Sequence, residues 1–169
     1  MMASLLFADG SAAILLQDNG QKGWRIDHFY SEVMPKGKND MSWQLSRNGF
    51  LMTLSGYIPE LVKQDFKHLV DRALNSAGLS FQDIDTWCIH PGGKKILEAI
   101  SDSLEIDAGK LAASYEVLRS FGNMSSATIL FVLKEIWEQF KKNPVAGEKI
   151  FGAAFGPGLT METFLLQYE

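Results

Sequence analysis

The sequence predicts an α/β fold with a largely parallel sheet, and three observations support this prediction. Apolar residues recur with a helical period between Pro59 and Gly78, and residues 85–90 form a short continuous apolar run. The patterns after residue 147 indicate two strands joined by a glycine turn. Continuous apolar strands are typical of parallel sheets that helices cover on both faces. After residue 22 the predicted order is β, α, β, α, β, α, β, β, which is typical of this class.

The first predicted elements are strands. Residues 4–17 indicate a strand pair or a kinked strand, broken at Asp9 and Gly10. Residues 23–33 alternate in polarity and are rich in aromatic and β-branched side chains, so they indicate a strand. Residues 35–49 have the composition of a loop. We therefore expect strands and one long loop to precede the first helix.

The first helix is predicted to begin near Pro59 and to end at Gly78, because proline favours the first helical turn and glycine favours the residue after the last one. A single apolar stripe along such a helix is typical of a helix that covers one face of a sheet. The stripe consists of Leu61, Val62, Phe66, Leu69, Val70, Ala73, Leu74 and Ala77.

The second half of the chain continues the alternation. Residues 85–90 are predicted to form a strand buried on both faces, and a helix follows directly. Residues 110–118 indicate either a strand or a short helix followed by a strand, and residues 123–140 indicate a helix capped by Ser125 or Ser126. The inward face of the helix after residue 90 is expected to consist of Ile96, Leu97, Ile100 and Leu104.

Composition excludes several classes of function. The 169 residues are 46% hydrophobic and 21% charged, which is the balance of a single globular domain. The interspersed charges sum to −4, which argues against nucleic acid as a partner. The chain contains no apolar run long enough for a membrane span and no pattern of a signal peptide. Its one cysteine, Cys88, excludes an internal disulfide and favours a reducing cytoplasm as the location.

Three candidate site features follow predicted strands at one edge of the sheet. His90 ends one strand, Asn123 precedes a helix, and Gly156, Pro157 and Gly158 form the turn between the last two strands. Ligands of such sheets bind outside the carboxyl ends of the strands. A histidine ring and an asparagine amide that donate to one point would form an oxyanion hole. A structural histidine, a capped turn and an ordinary β-turn remain the alternative interpretations.

Other candidate sites fail on geometry. Cys88 and His90 are two residues apart on a strand, which separates them by about 6.7 Å, beyond hydrogen-bond reach. Cys88 is therefore predicted to be a small core residue. The Gly92–Lys95 segment lacks the remaining residues of a phosphate loop, and neither Ser125 nor Ser126 lies in a nucleophile elbow. No histidine has carboxylates at ligand spacing, so we expect no metal site.

Three motifs closely resemble the C-terminal half of chalcone-synthase-like type III polyketide synthases. They are WCIHPGGKKIL at 87–97, SFGNMSSATILFVL at 120–133 and FGPGLTMETFLL at 155–166, and the resemblance extends in order over residues 3–169. The related ketoacyl synthases III resemble the chain less, because they tend to have His-Gln-Ala-Asn where this chain has His90-Pro91-Gly92-Gly93. They also tend to have a different, glycine-rich turn at residues 156–158.

The resemblance implies a thiolase-like fold of two similar α/β halves. Residues 1–22 would then be the last strand of a missing N-terminal half and a linker, and residues 23–169 would be the C-terminal half-domain. This half is expected to contain a five-stranded, mostly parallel sheet with an antiparallel edge strand, flanked by helices. The full-length protein is expected to be a homodimer.

The resemblance also implies a reaction, the decarboxylative Claisen condensation of malonyl-CoA onto an acyl thioester. Acyl-CoA and malonyl-CoA would be the substrates, with no further cofactor. His90 would lower the pKa of a nucleophilic cysteine and donate to the thioester oxygen, and Asn123 would be the second donor. That cysteine belongs to the missing half, so we expect this chain alone to be inactive.

The substrate-binding residues implied by the resemblance are Trp43, Met52, Lys95, Ser125, Gly156, Pro157 and Gly158. Trp43 would fill space and suggests a smaller or differently shaped product pocket, unless it is a core residue. Lys95 would contact a CoA phosphate or lie in solvent. Two alternative functions remain open, which are a ketoacyl-acyl-carrier-protein synthase III and a non-catalytic half-domain that binds acyl-CoA.

Overall fold

The protein is described by a computed structural model that covers residues 6–18, 22–47 and 49–169. These residues form an α/β structure in which helices cover a mixed sheet. The strands are β1 (Trp24–Val33), β2 (Met41–Ser46), β3 (Gly49–Leu54), β4 (Thr86–Ile89), β5 (Lys149–Gly156) and β6 (Thr160–Tyr168). The helices are α1 (Ile58–Ser76), α2 (Lys94–Leu104), α3 (Ala112–Phe121) and α4 (Thr128–Phe140). No helix within the described ranges has the length and apolar character that crossing a membrane requires.

The main sheet has the strand order β1-β6-β5-β4. Strand β4 runs parallel to β5, whereas β5–β6 and β6–β1 are antiparallel pairs. The predicted α/β class is confirmed, but the described sheet has four strands rather than five and is mixed rather than mostly parallel. A tight turn between Gly156 and Thr160 forces β5 and β6 to be antiparallel. The strand expected near residues 110–118 is absent because these residues belong to a short 3-10 turn and α3.

Residues 41–54 form a separate antiparallel hairpin, β2–β3, and the loop predicted over residues 35–49 was wrong for this part. Strand β2 alternates large apolar residues with polar ones, and this alternation suits a hairpin with one apolar face. Trp43 lies opposite Met52, and Leu45 lies opposite Phe50.

The segment before β1 contains little regular structure. Phe7 forms an isolated parallel bridge with Asn123, and the described residues after Ala8 belong to no strand. The strand pair predicted for residues 4–17 is therefore wrong beyond residue 8, because residues 9–17 belong to no strand; residues 4 and 5 lie outside the described part. The Ala8 N–H donates to the Asn123 carbonyl at 2.9 Å, and the Asn123 N–H donates to the Leu6 carbonyl at 3.0 Å.

The helices largely follow the predicted pattern, with one exception at a helix start. Helix α1 ends before Gly78, which has φ = +71°, and α2 begins four residues after His90. Helix α4 begins at Thr128, and the predicted Ser125 or Ser126 cap is wrong because neither hydroxyl caps the preceding turn. Instead, the Thr128 hydroxyl accepts a hydrogen bond from the Met124 N–H at 2.8 Å.

The core lies on both faces of the main sheet. Trp87 and Ile89 of β4 pack with α1 and α2 on one face, whereas Cys88 packs with α3 and α4 on the other. Successive strand residues point to opposite faces, so β4 is buried on both sides as predicted. His90 directly follows the carboxyl end of β4, between these two cores.

Candidate functional site

His90 lies in a tight turn at the carboxyl end of β4. Its backbone N–H donates to the Ala153 carbonyl on β5 at 2.9 Å, and its carbonyl accepts from the Gly92 N–H at 2.9 Å. Burial lowers the pKa of the imidazole to about 4, since taking the ring out of water disfavours the charged form. The ring is therefore neutral at pH 7, with one nitrogen that donates and one that accepts.

Asn123 lies between α3 and α4, and its side chain is buried and oriented. The Oδ1 atom accepts from the Ser125 N–H at 2.9 Å, and Nδ2 donates to the Gly92 carbonyl at 3.4 Å. Because the amide oxygen is held by Ser125, Nδ2 must face the His90–Gly92 turn. Nδ2 carries two hydrogens, so it can donate to one acceptor besides the Gly92 carbonyl.

Gly92 connects the two predicted catalytic residues. Its N–H contacts the His90 carbonyl, and its own carbonyl contacts the Asn123 amide. A Cβ atom at this position would lie 3.9 Å from Cδ2 of the His90 ring, so the turn runs close beside the imidazole. The backbone at Gly92 thus connects His90 to Asn123, and the Ser125 N–H contacts the Asn123 side chain.

The glycine turn at residues 156–158 lies beyond His90 in the direction of strand β5, and a hydrogen bond joins it to the β2–β3 hairpin. Gly156 is three residues beyond Ala153, or about 10 Å past the level of His90. Gly158 has φ = +82°, a backbone conformation that favours glycine, and its N–H donates to the Met41 carbonyl at 2.6 Å. The turn therefore holds the base of the β2–β3 hairpin.

The predicted pocket residues on the hairpin share one apolar face. Trp43 is 49% exposed and contacts Phe50 edge-on, with ring centroids 6.0 Å apart, so it is not a core residue. Lys95 is exposed in the first turn of α2 and belongs neither to the histidine–asparagine cluster nor to the hairpin. The apolar face consists of Met41, Trp43, Leu45, Phe50, Met52 and Leu54.

Cys88 has the environment of a structural residue. Its side chain is fully buried, and its Sγ atom lies 3.8 Å from the Ile129 carbonyl. Burial strongly raises the pKa of the thiol, so the nucleophilic thiolate is disfavoured at neutral pH. Within the described ranges, no three His, Cys, Asp or Glu side chains are grouped so that they could hold a metal ion.

Comparison with known protein families identifies the family of this chain. Residues 26–168 match the family described as chalcone and stilbene synthases, C-terminal domain. The chain belongs to this family. The resemblance found in the three sequence motifs is thereby confirmed over most of the chain.

Curated relatives of this chalcone and stilbene synthase domain are about twice its length. A putative chalcone synthase of Bacillus subtilis is 35% identical, and the match covers 100% of this chain and 48% of the relative. The 1,3,6,8-tetrahydroxynaphthalene synthase of Streptomyces peucetius is 32% identical over 99% of the chain and 45% of the relative. The chain thus spans about half the length of the curated relatives it matches.

Solved structures of type III polyketide synthases share the fold. PKS-I from the brown alga Ectocarpus siliculosus superposes with a TM-score of 0.81 at 26% identity, covering 90% of this chain and 41% of that one. Tetrahydroxynaphthalene synthase from Streptomyces coelicolor gives a TM-score of 0.81 at 26% identity, covering 91% and 43%. The thiolase-like half-domain that the resemblance implied is confirmed by these likenesses.

Sequence analysis missed the backbone contacts that hold the site of this chalcone synthase-like domain. The pairing of Leu6 and Ala8 with Asn123 had no local signal, because it joins residues far apart in the chain. Ser114 and Thr128 are completely buried hydroxyl residues on helices whose neighbouring inward residues are apolar. An isolated hydroxyl residue on an apolar helix face is the one sequence signal that could have identified Ser114 and Thr128.

Proposed function

We propose that this domain supplies the histidine–asparagine half of a type III polyketide synthase active site. The observation that carries the proposal is the connection of His90 to the buried Asn123 amide through Gly92. The reaction is the decarboxylative Claisen condensation of malonyl-CoA onto an acyl thioester. The acyl group would be carried by a cysteine outside residues 1–169.

The two side chains act as donors to developing negative charge. The thiolate attacks the acyl-CoA carbonyl, and CoA leaves and takes up a proton. Malonyl-CoA then loses CO2 to give the enolate of acetyl-CoA, whose carbon attacks the acyl thioester and displaces the cysteine thiolate. His90 and Asn123 donate to the enolate oxygen, and each such donor contributes about 2.7–4 kcal/mol to catalysis.

His90 also stabilises the cysteine thiolate. Burial lowers the pKa of the imidazole to about 4, and no charged group in the described ranges contributes to this shift. A thiolate beside the ring favours the protonated imidazole and raises this pKa, because the two opposite charges attract. An anionic thiolate would therefore oppose the effect of burial on the pKa of His90.

The nucleophile comes from another part of the protein. Cys88 is the one cysteine of the chain, and its thiol is buried with a raised pKa. This chain alone is therefore expected to be inactive. Residues 1–22 would end the N-terminal half and link it to residues 23–169, and the bridge between Phe7 and Asn123 supports a place for this segment beside the site. The full polypeptide would form a homodimer, which light scattering would test.

The remaining predicted residues would shape the substrate path. The turn of Gly156, Pro157 and Gly158 and the hairpin residues Trp43 and Met52 form a connected wall, because the Gly158 N–H holds the Met41 carbonyl. This wall is apolar and suits the acyl portion of the intermediate. Ser125 would border the donors, and the exposed Lys95 would contact a phosphate of CoA.

Product analysis of the longest polypeptide that the gene encodes tests this function. It is incubated with a panel of acyl-CoA starters and malonyl-CoA, with and without the substitution His90→Ala, and products are followed by mass spectrometry. Pyrones or resorcinols that disappear in the variant support the proposal. Extension only from an acyl carrier protein would instead indicate a ketoacyl synthase, and binding of acyl-CoA without acylation would indicate a binding module.

A further inference from the structure

Buried hydroxyl groups support the backbone on both sides of the site. In the described part of the chain, the polar side chains that are buried are Ser114, Asn123, Thr128 and Thr163. Asn123 is a proposed donor, and the Thr163 hydroxyl on β6 donates to the Tyr30 carbonyl on the neighbouring strand β1. The other two, Ser114 and Thr128, contact the backbone next to His90 and Asn123.

Ser114 holds the residue that precedes His90. Its hydroxyl, fully buried on α3, donates to the Ile89 carbonyl at 2.6 Å. In the sheet formed by the described residues, β4 is an edge strand with a neighbour on one side, where the His90 N–H donates to the Ala153 carbonyl. Successive backbone groups of a strand point to opposite sides, so the Ile89 carbonyl faces the side without a strand. The end of β4 next to His90 is therefore held by β5 on one side and by Ser114 on the other.

Thr128 holds the turn that follows Asn123. Its Oγ1 accepts from the Met124 N–H at 2.8 Å and donates to the Ser125 carbonyl at 2.8 Å. Ser125 has φ = +57°, a left-handed conformation that is unfavourable for a residue with a side chain. In this conformation its N–H reaches Oδ1 of Asn123 at 2.9 Å. The Thr128 hydroxyl therefore stabilises the turn that orients the Asn123 amide.

We propose that Ser114 and Thr128 are positioning residues, the first for His90 and the second for Asn123. Each acts through one short backbone connection, and neither is adjacent in sequence to the residue it positions. Their catalytic importance rests on the proposed function, whereas the positioning itself is a property of this chain.

The positioning is tested by NMR without any assay of activity. The longest polypeptide is labelled selectively at histidine ring carbons and at asparagine side-chain amides, and Ser114→Ala and Thr128→Val are compared with the wild type. We expect Ser114→Ala to shift the His90 ring signals and Thr128→Val to shift the Asn123 amide signals. If each variant leaves its target signals at the wild-type position, the inference is wrong.

A matched control removes the same kind of bond elsewhere. The Ser101 hydroxyl on α2 donates to the Ile106 carbonyl at 2.7 Å. Ser101→Ala should leave the signals of both site residues unchanged. Shifts in this control as large as those in Ser114→Ala and Thr128→Val would show that loss of any helix hydroxyl has this effect and would overturn the inference.

Kinetics provide the second readout. Ser114→Ala and Thr128→Val should lower kcat roughly ten- to hundred-fold, because small misplacements of donors are costly, with KM for acyl-CoA nearly unchanged. Thr128→Ser keeps the hydroxyl and should restore most of kcat, and a variant as slow as Thr128→Val would contradict the inference. If Ser114→Ala does not fold, Ser114→Cys keeps the volume with a weaker donor and should give a smaller shift in the same direction. If the wild type forms no polyketide products, the proposed function is refuted. The NMR result alone then decides whether Ser114 and Thr128 position His90 and Asn123.

Discussion

The buried imidazole of His90 makes the stability of the chain depend on pH in a defined window. In the unfolded chain the ring has its ordinary pKa of 6.5, whereas burial lowers the folded value to about 4. Between these values the unfolded state binds a proton that the folded state does not bind. Protonation therefore favours unfolding, and the stability is complete above pH 6.5 and declines as the pH falls towards 4.

The size of the effect follows from the two pKa values. At pH 5 the solution is 1.5 pH units below the unfolded pKa of 6.5, and each unit corresponds to about 1.4 kcal/mol. His90 should therefore lower the free energy of unfolding by about 2 kcal/mol between pH 7 and pH 5. The substitution His90→Gln removes the titrating ring, so the variant should lack this part of the pH dependence.

Urea unfolding, followed by tryptophan fluorescence at pH 7 and pH 5, measures the effect. Subtracting the variant from the wild type cancels the contributions of the other titrating groups, which both proteins share. We expect the wild type to lose about 2 kcal/mol more than His90→Gln over this range. Equal losses in the two proteins would show that the ring is solvated in the folded chain, and the description of His90 as a buried, neutral ring would be wrong.

Three further predictions concern single substitutions in the longest polypeptide that the gene encodes. Asn123→Ala should slow the release of CO2 from malonyl-CoA roughly 10²- to 10³-fold while the enzyme still takes up the starter acyl group, and undiminished CO2 release would exclude Asn123 as a donor. Cys88→Ala should lower the free energy of unfolding by about 1 kcal/mol and leave turnover nearly unchanged, because the buried thiol packs against α4. Loss of turnover in this folded variant would mean that Cys88 takes part in the chemistry. Trp43→Ala should increase the length or size of the products seen by mass spectrometry, since the half-exposed indole forms part of the proposed wall; an unchanged product profile would place Trp43 outside the pocket.

Elements with a strong hydrophobic period were predictable from the sequence. Helix α1, strand β4 and the hairpin β5–β6 occur where the patterns indicated them, because their burial is set by local alternation or by one apolar stripe. Residues 110–118 were ambiguous because Ala112, Ala113 and Ser114 suit a helix while Tyr115 and Val117 suit a strand. Packing of α3 against α4 and β4 decides this in favour of the helix.

The candidate site was predictable in its residues but not in its connections. His90 and Asn123 were recognisable because each follows or precedes a clear element and carries a side-chain donor. The support from Thr128 is local, because Met124 and Ser125 lie four and three residues before it. The link through Gly92 and the support from Ser114 instead depend on contacts between residues distant in sequence. Only the tertiary structure shows such contacts, since no local period encodes them.

The central claim is that His90 and Asn123 act on an acyl group held by a cysteine outside residues 1–169. The most direct measurement incubates the longest gene product with an isotope-labelled acyl-CoA, digests it, and locates the acylated cysteine by mass spectrometry. We predict a labelled thioester on a cysteine outside these residues, with Cys88 unmodified. A thioester on Cys88, or a fully folded protein that takes up no acyl group, would contradict the account.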